Sequence, residues 1–104
     1  MYGLKDIHIE KIQSVFTNCE FIEKAILYGS RAKGNYRNNS DIDISLVGKA
    51  IDLTILLKLE NQLDDLLLPY TIDLSIFYKI ENTDLIDHIN RLGIVLYEKA
   101  EVNE

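Results

Sequence analysis

The chain has 104 residues, of which 47% are hydrophobic and 27% are charged, and its formal net charge is −6. This length predicts one domain, because so short a chain cannot supply two hydrophobic cores, and the apolar content excludes a disordered chain. The acidic balance argues against direct nucleic-acid binding, since a negative surface repels phosphates, and the single cysteine excludes an internal disulfide or a cysteine-based zinc site.

No segment has the pattern of a targeting or membrane-spanning element. Met1–Glu10 alternates charged and apolar residues and lacks the continuous apolar core of a signal peptide. The longest apolar runs, such as Leu66–Pro69, cover only a few residues, whereas a spanning helix needs about 20. We therefore expect a soluble, cytoplasmic protein that makes no membrane contact.

The first half of the chain predicts a helix, two strands and a loop. Lys5–Asn18 carries apolar residues at helical spacing, and Ala25–Tyr28 is a short apolar run, typical of a buried strand, that ends at Gly29. Ser30–Ser40 is polar and predicts a loop containing one helical turn. Asp41–Val47 alternates polar and aliphatic residues with the period of a strand.

The second half predicts two helices and two strands. Asp52–Leu68 predicts a leucine-rich helix that the following proline ends, and Thr71–Tyr78 alternates like a strand. Thr83–Asn90 predicts a short helix with its first residue as the N-cap, and Ile94–Tyr97 predicts a final strand. This order predicts an α/β (α+β) fold: a small mixed β-sheet with helices packed on one face and the polar, acidic face left open.

Three aspartates are expected to converge on that polar face. Asp41 and Asp43 are two residues apart, so their side chains point the same way from one strand. Asp73 has the matching phase on another strand, and neighbouring strands lie about 4.7–4.9 Å apart. Three adjacent carboxylates repel one another and are stable mainly around divalent cations, and their oxygen ligands favour Mg²⁺ or Mn²⁺ over zinc.

A glycine–serine turn and a basic loop complete this set. Gly29 and Ser30 offer backbone amides and a hydroxyl to a phosphate, and Arg31, Lys33 and Arg37 would add positive charge there. Together with the acids, these residues predict a site that binds a nucleoside triphosphate and two metal ions and that catalyses in-line attack on phosphorus. Taken singly, each motif also fits a solvated strand face or ordinary loop charges.

The combined pattern resembles the nucleotidyltransferase signature of the DNA polymerase beta superfamily. The resemblance is carried by Gly29–Gly34 (GSRAKG), by Ser40–Ile44 (SDIDI) and by Ile72–Leu74 (IDL). More narrowly, the chain is similar to the minimal nucleotidyltransferases, the MNT antitoxins that are paired with HEPN-domain toxins. This resemblance implies a nucleotidyltransferase fold and a single minimal nucleotidyltransferase domain over residues 1–104.

The resemblance also implies residue roles. Asp41, Asp43 and Asp73 would be catalytic and would ligate two Mg²⁺ ions, with Mn²⁺ as a substitute, and Asp73 would also help to deprotonate the acceptor hydroxyl. ATP would be the nucleotide substrate. The implied nucleotide-binding residues are Gly29, Ser30, Arg31, Lys33 and Ser40.

The implied function is that of an antitoxin enzyme, a protein adenylyltransferase. It would transfer AMP from ATP to a hydroxyl, a tyrosine in some members, of a cognate HEPN RNase toxin. Two alternatives stay open: a non-catalytic antitoxin or binding module that neutralises its partner by complex formation, and the same chemistry on a small molecule or RNA end. Because Leu53–Leu68 is apolar over more than one face, we also expect it to contact a partner chain in a homo- or hetero-oligomer.

Overall fold

Alternating apolar residues build a four-stranded mixed sheet, as predicted, in the computed structural model, which describes residues 1–100. The strands are β1 (Lys24–Tyr28), β2 (Ile42–Val47), β3 (Ile72–Ile76) and β4 (Ile94–Glu98). Their order in the sheet is β3-β2-β1-β4. The central strand β1 is antiparallel to both β2 and β4, whereas β2 and β3 run parallel.

The helices agree with the prediction in number and order, and differ from it at their ends. They are α1 (Asp6–Thr17), α2 (Ser30–Lys33), α3 (Leu53–Asp64) and α4 (Thr83–Leu92). The N-cap of α4 is Asn82, whose side chain accepts two backbone amides, so the prediction of Thr83 as the cap was wrong by one residue. None of the helices in residues 1–100 has the length and apolarity to cross a membrane.

The main core lies between the aliphatic face of the sheet and the helices α1 and α3. Phe16 of α1, Leu27 of β1 and Ile44 of β2 are fully buried there, and Leu59 and Leu63 of α3 pack into the same core. Burying this apolar surface stabilises the fold by about 25 cal/mol for each Å² removed from water. The same packing determines which face of the sheet each strand side chain points to. The polar strand residues therefore point to the other face.

Two elements are shorter than the sequence predicts. The predicted helix Asp52–Leu68 ends at Asp64, and Leu67 takes a left-handed backbone conformation with φ 53°. The predicted strand Thr71–Tyr78 ends at Ile76 and continues as a 3₁₀ turn. In both places the apolar pattern runs past the end of the regular backbone structure, and hydrophobicity alone does not mark where that structure stops.

The fourth helix lies on the sheet face opposite the main core. Ile26 of β1 points away from Leu27, and a Cβ placed on Gly93, just after α4, would contact the Ile26 methyl group. Ile89 of α4 is only 2% exposed, yet it does not belong to the main core cluster. The prediction that the helices share one face therefore holds for α1 and α3 and fails for α4, which covers part of the polar face.

Candidate active site

The three predicted aspartates lie on the sheet face opposite the main core. Asp43 of β2 is directly opposite Asp73 in the parallel pair of β2 and β3. Asp41 immediately precedes β2, two residues from Asp43. Asp43 is half-buried, whereas Asp41 and Asp73 are exposed. The sheet register therefore brings together the residues that the sequence pattern selected.

The electrostatics of Asp43 reflect its two acidic neighbours. Burial raises the pKa of Asp43 above its ordinary value, and the negative charges of Asp73 and Asp41 raise it further. Burial also raises the pKa of Tyr28, which pairs with Asp43 across β1 and β2; the Ser75 hydroxyl opposes this rise, and the charges of Asp43 and Asp73 add to it. The local field thus favours a bound cation or proton.

The acid set fits a hard divalent cation in its chemistry, although it is not closed around one. Among residues 1–100, no three acidic, histidine or cysteine side chains stand close enough together to chelate a metal ion as they are. The side chains of Asp41 and Asp73 are exposed and can rotate at small cost. Carboxylate-only donors are the ligands that Mg²⁺ and Mn²⁺ prefer.

The turn after β1 packs directly against this acid set. Gly29 has φ 77° and ψ −154°, a backbone conformation found almost only in glycine. A Cβ on Gly29 would also collide with Oδ2 of Asp43. Any other residue would be strained in this backbone conformation, and the Asp43 carboxylate would have to move to make room for its Cβ.

An open cleft of about 350 Å³ adjoins the turn, between α2 and α4. Its lining residues are Tyr28, Gly29, Ser30, Lys33, Asn35, Leu85 and His88. Two of the basic and polar residues predicted to bind nucleotide, Ser30 and Lys33, thus share one cleft with Gly29, and the side chain of Lys33 is exposed. Gly29 thus borders this cleft and also packs against Asp43, although the three aspartates are not among the residues that line the cleft.

His88 is the residue that the sequence analysis missed. Its Nε2 accepts a hydrogen bond from the Gly29 amide at 3.0 Å, and its ring meets the Tyr28 ring edge-on at 6.3 Å. Nothing in the spacing of His88 from the motifs signals this contact, because it depends on α4 lying on the polar face. The sequence carries no pattern that predicts this contact.

Arg31 lies outside the cleft, inside the protein. The side chain is 1% exposed, and its guanidinium stands over the rings of Tyr36 and Tyr70 at 5.3 and 5.2 Å. Its Nε and Nη2 donate to the Ser40 carbonyl at 3.2 and 2.8 Å, and Nη1 donates to the Tyr2 carbonyl at 2.9 Å. The structure therefore does not bring Arg31 together with Gly29, Ser30 and Lys33.

Ser40 closes the loop that Arg31 holds. Its hydroxyl accepts the Arg37 amide at 2.8 Å, and its own amide donates to the Arg37 carbonyl at 3.0 Å. With the hydroxyl used in this way, Ser40 serves the loop just before Asp41. Both residues thus fix the loop that leads into β2, and the expected contact of Arg31 and Ser40 with phosphate stays a prediction.

Comparison with known proteins places the chain in a family. The family model described as "Polymerase beta, Nucleotidyltransferase" matches residues 10–102. No curated protein sequence matches the chain. A crystal structure of a toxin-antitoxin with AMP-PNP is 25% identical, with a TM-score of 0.70, over 92% of this chain and 75% of that chain.

Two further structures share the fold. The toxin-antitoxin MntA-HepT is 22% identical, with a TM-score of 0.67, over 91% of this chain and 74% of that chain. A tri-AMPylated Shewanella oneidensis HEPN toxin in complex with MNT antitoxin gives 20% identity and a TM-score of 0.68, over 92% of this chain and 74% of the other. At these identities the match is one of fold.

Replacing Arg31 and Lys33 separately distinguishes a structural from an exposed cation. Arg31→Met leaves the carbonyls of Tyr2 and Ser40 without their donors, so we expect the free energy of unfolding to fall by about 2–4 kcal/mol. Lys33→Met removes the same charge from the same helix, and it should change the free energy of unfolding by less than about 0.5 kcal/mol. Urea unfolding measures both; equal losses would contradict the assignment of Arg31.

Replacing Asp43 tests the crowding of the carboxylates. The pKa of Asp43 in the folded state is raised above its unfolded value near 3.8, so the folded state binds the proton more tightly. The free energy of unfolding therefore falls as the pH rises from the unfolded pKa through the folded pKa. We expect Asp43→Asn to be more stable than the wild type at neutral pH without divalent cations, and the difference to shrink in acid. Glu10→Gln, an exposed change on α1, is the control in urea unfolding. An Asp43→Asn variant that is less stable at neutral pH would contradict the account.

Proposed function

The chain belongs to the polymerase beta nucleotidyltransferase family, and on that premise we propose that it is an antitoxin that transfers AMP from ATP to a hydroxyl, in particular a tyrosine hydroxyl, of a cognate HEPN RNase toxin. The observation that carries this proposal is the packing of the Gly29 turn against Asp43, with Asp73 in register beside it. Support comes from structures of the same fold, one holding AMP-PNP and one pairing an MNT antitoxin with a tri-AMPylated toxin.

The acids serve as the metal-binding and catalytic residues in this proposal. Asp41 and Asp43, with Asp73 beside them, hold two Mg²⁺ ions, or Mn²⁺ in their place; when bound, such ions neutralise phosphate charge and activate the acceptor oxygen. Asp73 is exposed at the edge of the site, where it can take the proton from an incoming hydroxyl. The raised pKa of Asp43 agrees with a carboxylate that a neighbouring cation would stabilise.

Gly29, Ser30 and Lys33 bind the triphosphate in this proposal. Ser30 offers its hydroxyl at the turn, and Lys33 offers an exposed ammonium group to the same cleft. The acceptor oxygen forms a bond to the α-phosphorus, the bond from that phosphorus to the β-phosphate oxygen breaks, and pyrophosphate leaves. Arg31 and Ser40 contribute by holding the loop that ends at Asp41.

A second candidate, the binding module, is favoured by one observation. Leu53 and Leu57 of α3 are 60% and 50% exposed, one helical turn apart, on the side of the sheet away from the acids. A partner held only through α3 would lie across the sheet from Asp43 and would not present a hydroxyl to it. Neutralisation through this helix would therefore need no chemistry.

An intact-mass experiment separates the two candidates. The chain is purified with the product of the neighbouring reading frame, and ATP and Mg²⁺ are added. We expect the partner to gain one or more AMP units, and the Asp41→Ala/Asp43→Ala variant to lose this transfer by at least about a thousandfold, because it lacks the groups that stabilise charge in the transition state.

Glu10→Gln is the matched control, because it also removes acidic charge but on α1, and it should transfer AMP as the wild type does. A stable complex that gains no mass would favour the binding module, provided that the double variant neutralises the partner as well as the wild type does. A mass gain that persists undiminished in the double variant would contradict the catalytic assignment of the acids.

A further inference from the structure

His88 reaches the candidate site from an element that carries none of the motifs. The helix α4 lies on the polar face of the sheet, with Ile89 buried against it and His88 directed to the end of β1. There the Nε2 atom of His88 accepts the Gly29 amide at 3.0 Å. This is a contact between sequence-distant residues, and it ends at the turn that the proposed function assigns to the triphosphate.

The turn depends on contacts from both of its sides. Backbone of the kind found at Gly29 persists only where its surroundings hold it in place. On one side the Gly29 Cα packs against the carboxylate of Asp43. On the other side, Nε2 of His88 accepts a hydrogen bond from the Gly29 amide, and this bond fixes the orientation of the peptide between Tyr28 and Gly29.

The contact also settles which nitrogen of His88 has the proton. An imidazole nitrogen accepts a hydrogen bond only through its lone pair, so Nε2 is unprotonated in this contact and the neutral ring carries its proton on Nδ1. The Tyr28 ring, edge-on at 6.3 Å with planes 75° apart, packs beside the imidazole. Because His88 occupies the Gly29 amide, Gly29 would contribute to phosphate binding through the shape of the turn, and Ser30 and Lys33 would supply hydrogen-bond donors from the same cleft.

We propose that His88 is a positioning residue for the triphosphate-binding turn: by accepting the Gly29 amide it holds Ser30 and Lys33 in the orientation that receives the nucleotide. This inference rests on the proposed function, since the turn must bind a triphosphate for its orientation to matter. It assigns His88 no contact with the reacting atoms. Its effect is therefore on nucleotide binding.

The side chains of glutamine and asparagine give a matched pair of variants. Glutamine Oε1 is the same number of bonds from Cα as histidine Nε2, so His88→Gln can accept the Gly29 amide. Asparagine Oδ1 is one bond short, so His88→Asn removes the ring and leaves the amide without an acceptor. Asn90→Ala, an exposed change on the same helix, controls for the stability of α4.

The experiment uses the full chain with Mg²⁺ and AMP-PNP as the probe, in calorimetric titration, beside amide hydrogen exchange at Gly29. We expect His88→Asn to weaken AMP-PNP binding about fivefold and to speed Gly29 exchange about tenfold, the loss expected of one hydrogen bond. His88→Gln and Asn90→Ala should stay within about twofold of the wild type in both measurements.

The outcomes separate this inference from the function beneath it. If the wild type fails to bind AMP-PNP with Mg²⁺, the proposed function fails and the positioning role falls with it, whatever the exchange at Gly29. If the wild type binds but His88→Asn binds equally well, the inference alone is overturned. It is also overturned if His88→Gln weakens binding as much as His88→Asn, because the ring and not the acceptor would then matter.

Discussion

The contact between a glycine backbone and a carboxylate is the constraint on which the rest of the site depends. Glycine at position 29 adopts the positive φ of this turn without strain, and because it has no Cβ the turn lies directly against the Asp43 carboxylate. The antiparallel pairing of β1 with β2 places Tyr28 opposite Asp43 and so delivers the turn to that carboxylate. The parallel pairing of β2 with β3 then adds Asp73. These pairings place the glycine turn, Asp43 and Asp73 next to one another on one face of the sheet.

A buried cation keeps the entry to this sheet in place. Arg31 is enclosed by two tyrosine rings and by backbone carbonyls, and the ion pairs formed within residues 1–100 do not include it. A planar guanidinium suits such a position, because it stacks on rings and donates in several directions at once, whereas a lysine ammonium is more strongly hydrated. One residue of the basic loop thus supports the architecture, and Lys33, two residues further on, faces the open cleft.

How much the sequence predicts differs between local and long-range features. Alternation in Asp41–Val47 and Thr71–Tyr78 correctly predicted two strands and the shared face of Asp43 and Asp73, because a strand's period of two needs no knowledge of its neighbours. The side of the sheet taken by α4 was not predictable, since it depends on the end of α4, at Gly93, packing beside Ile26 of β1. The burial of Arg31 and the contact of His88 with Gly29 were missed for the same reason: both depend on packing between residues distant in the chain.

The central claim is that three carboxylates and one glycine turn form a joint site for a divalent cation and a nucleoside triphosphate. Electron paramagnetic resonance of Mn²⁺, titrated with and without AMP-PNP, measures this directly, because free and bound Mn²⁺ give different signals. The account predicts about two Mn²⁺ per chain in the presence of AMP-PNP and a loss of this binding in Asp43→Asn. Mn²⁺ binding that is weak in the wild type, indifferent to AMP-PNP and unchanged by Asp43→Asn would contradict it.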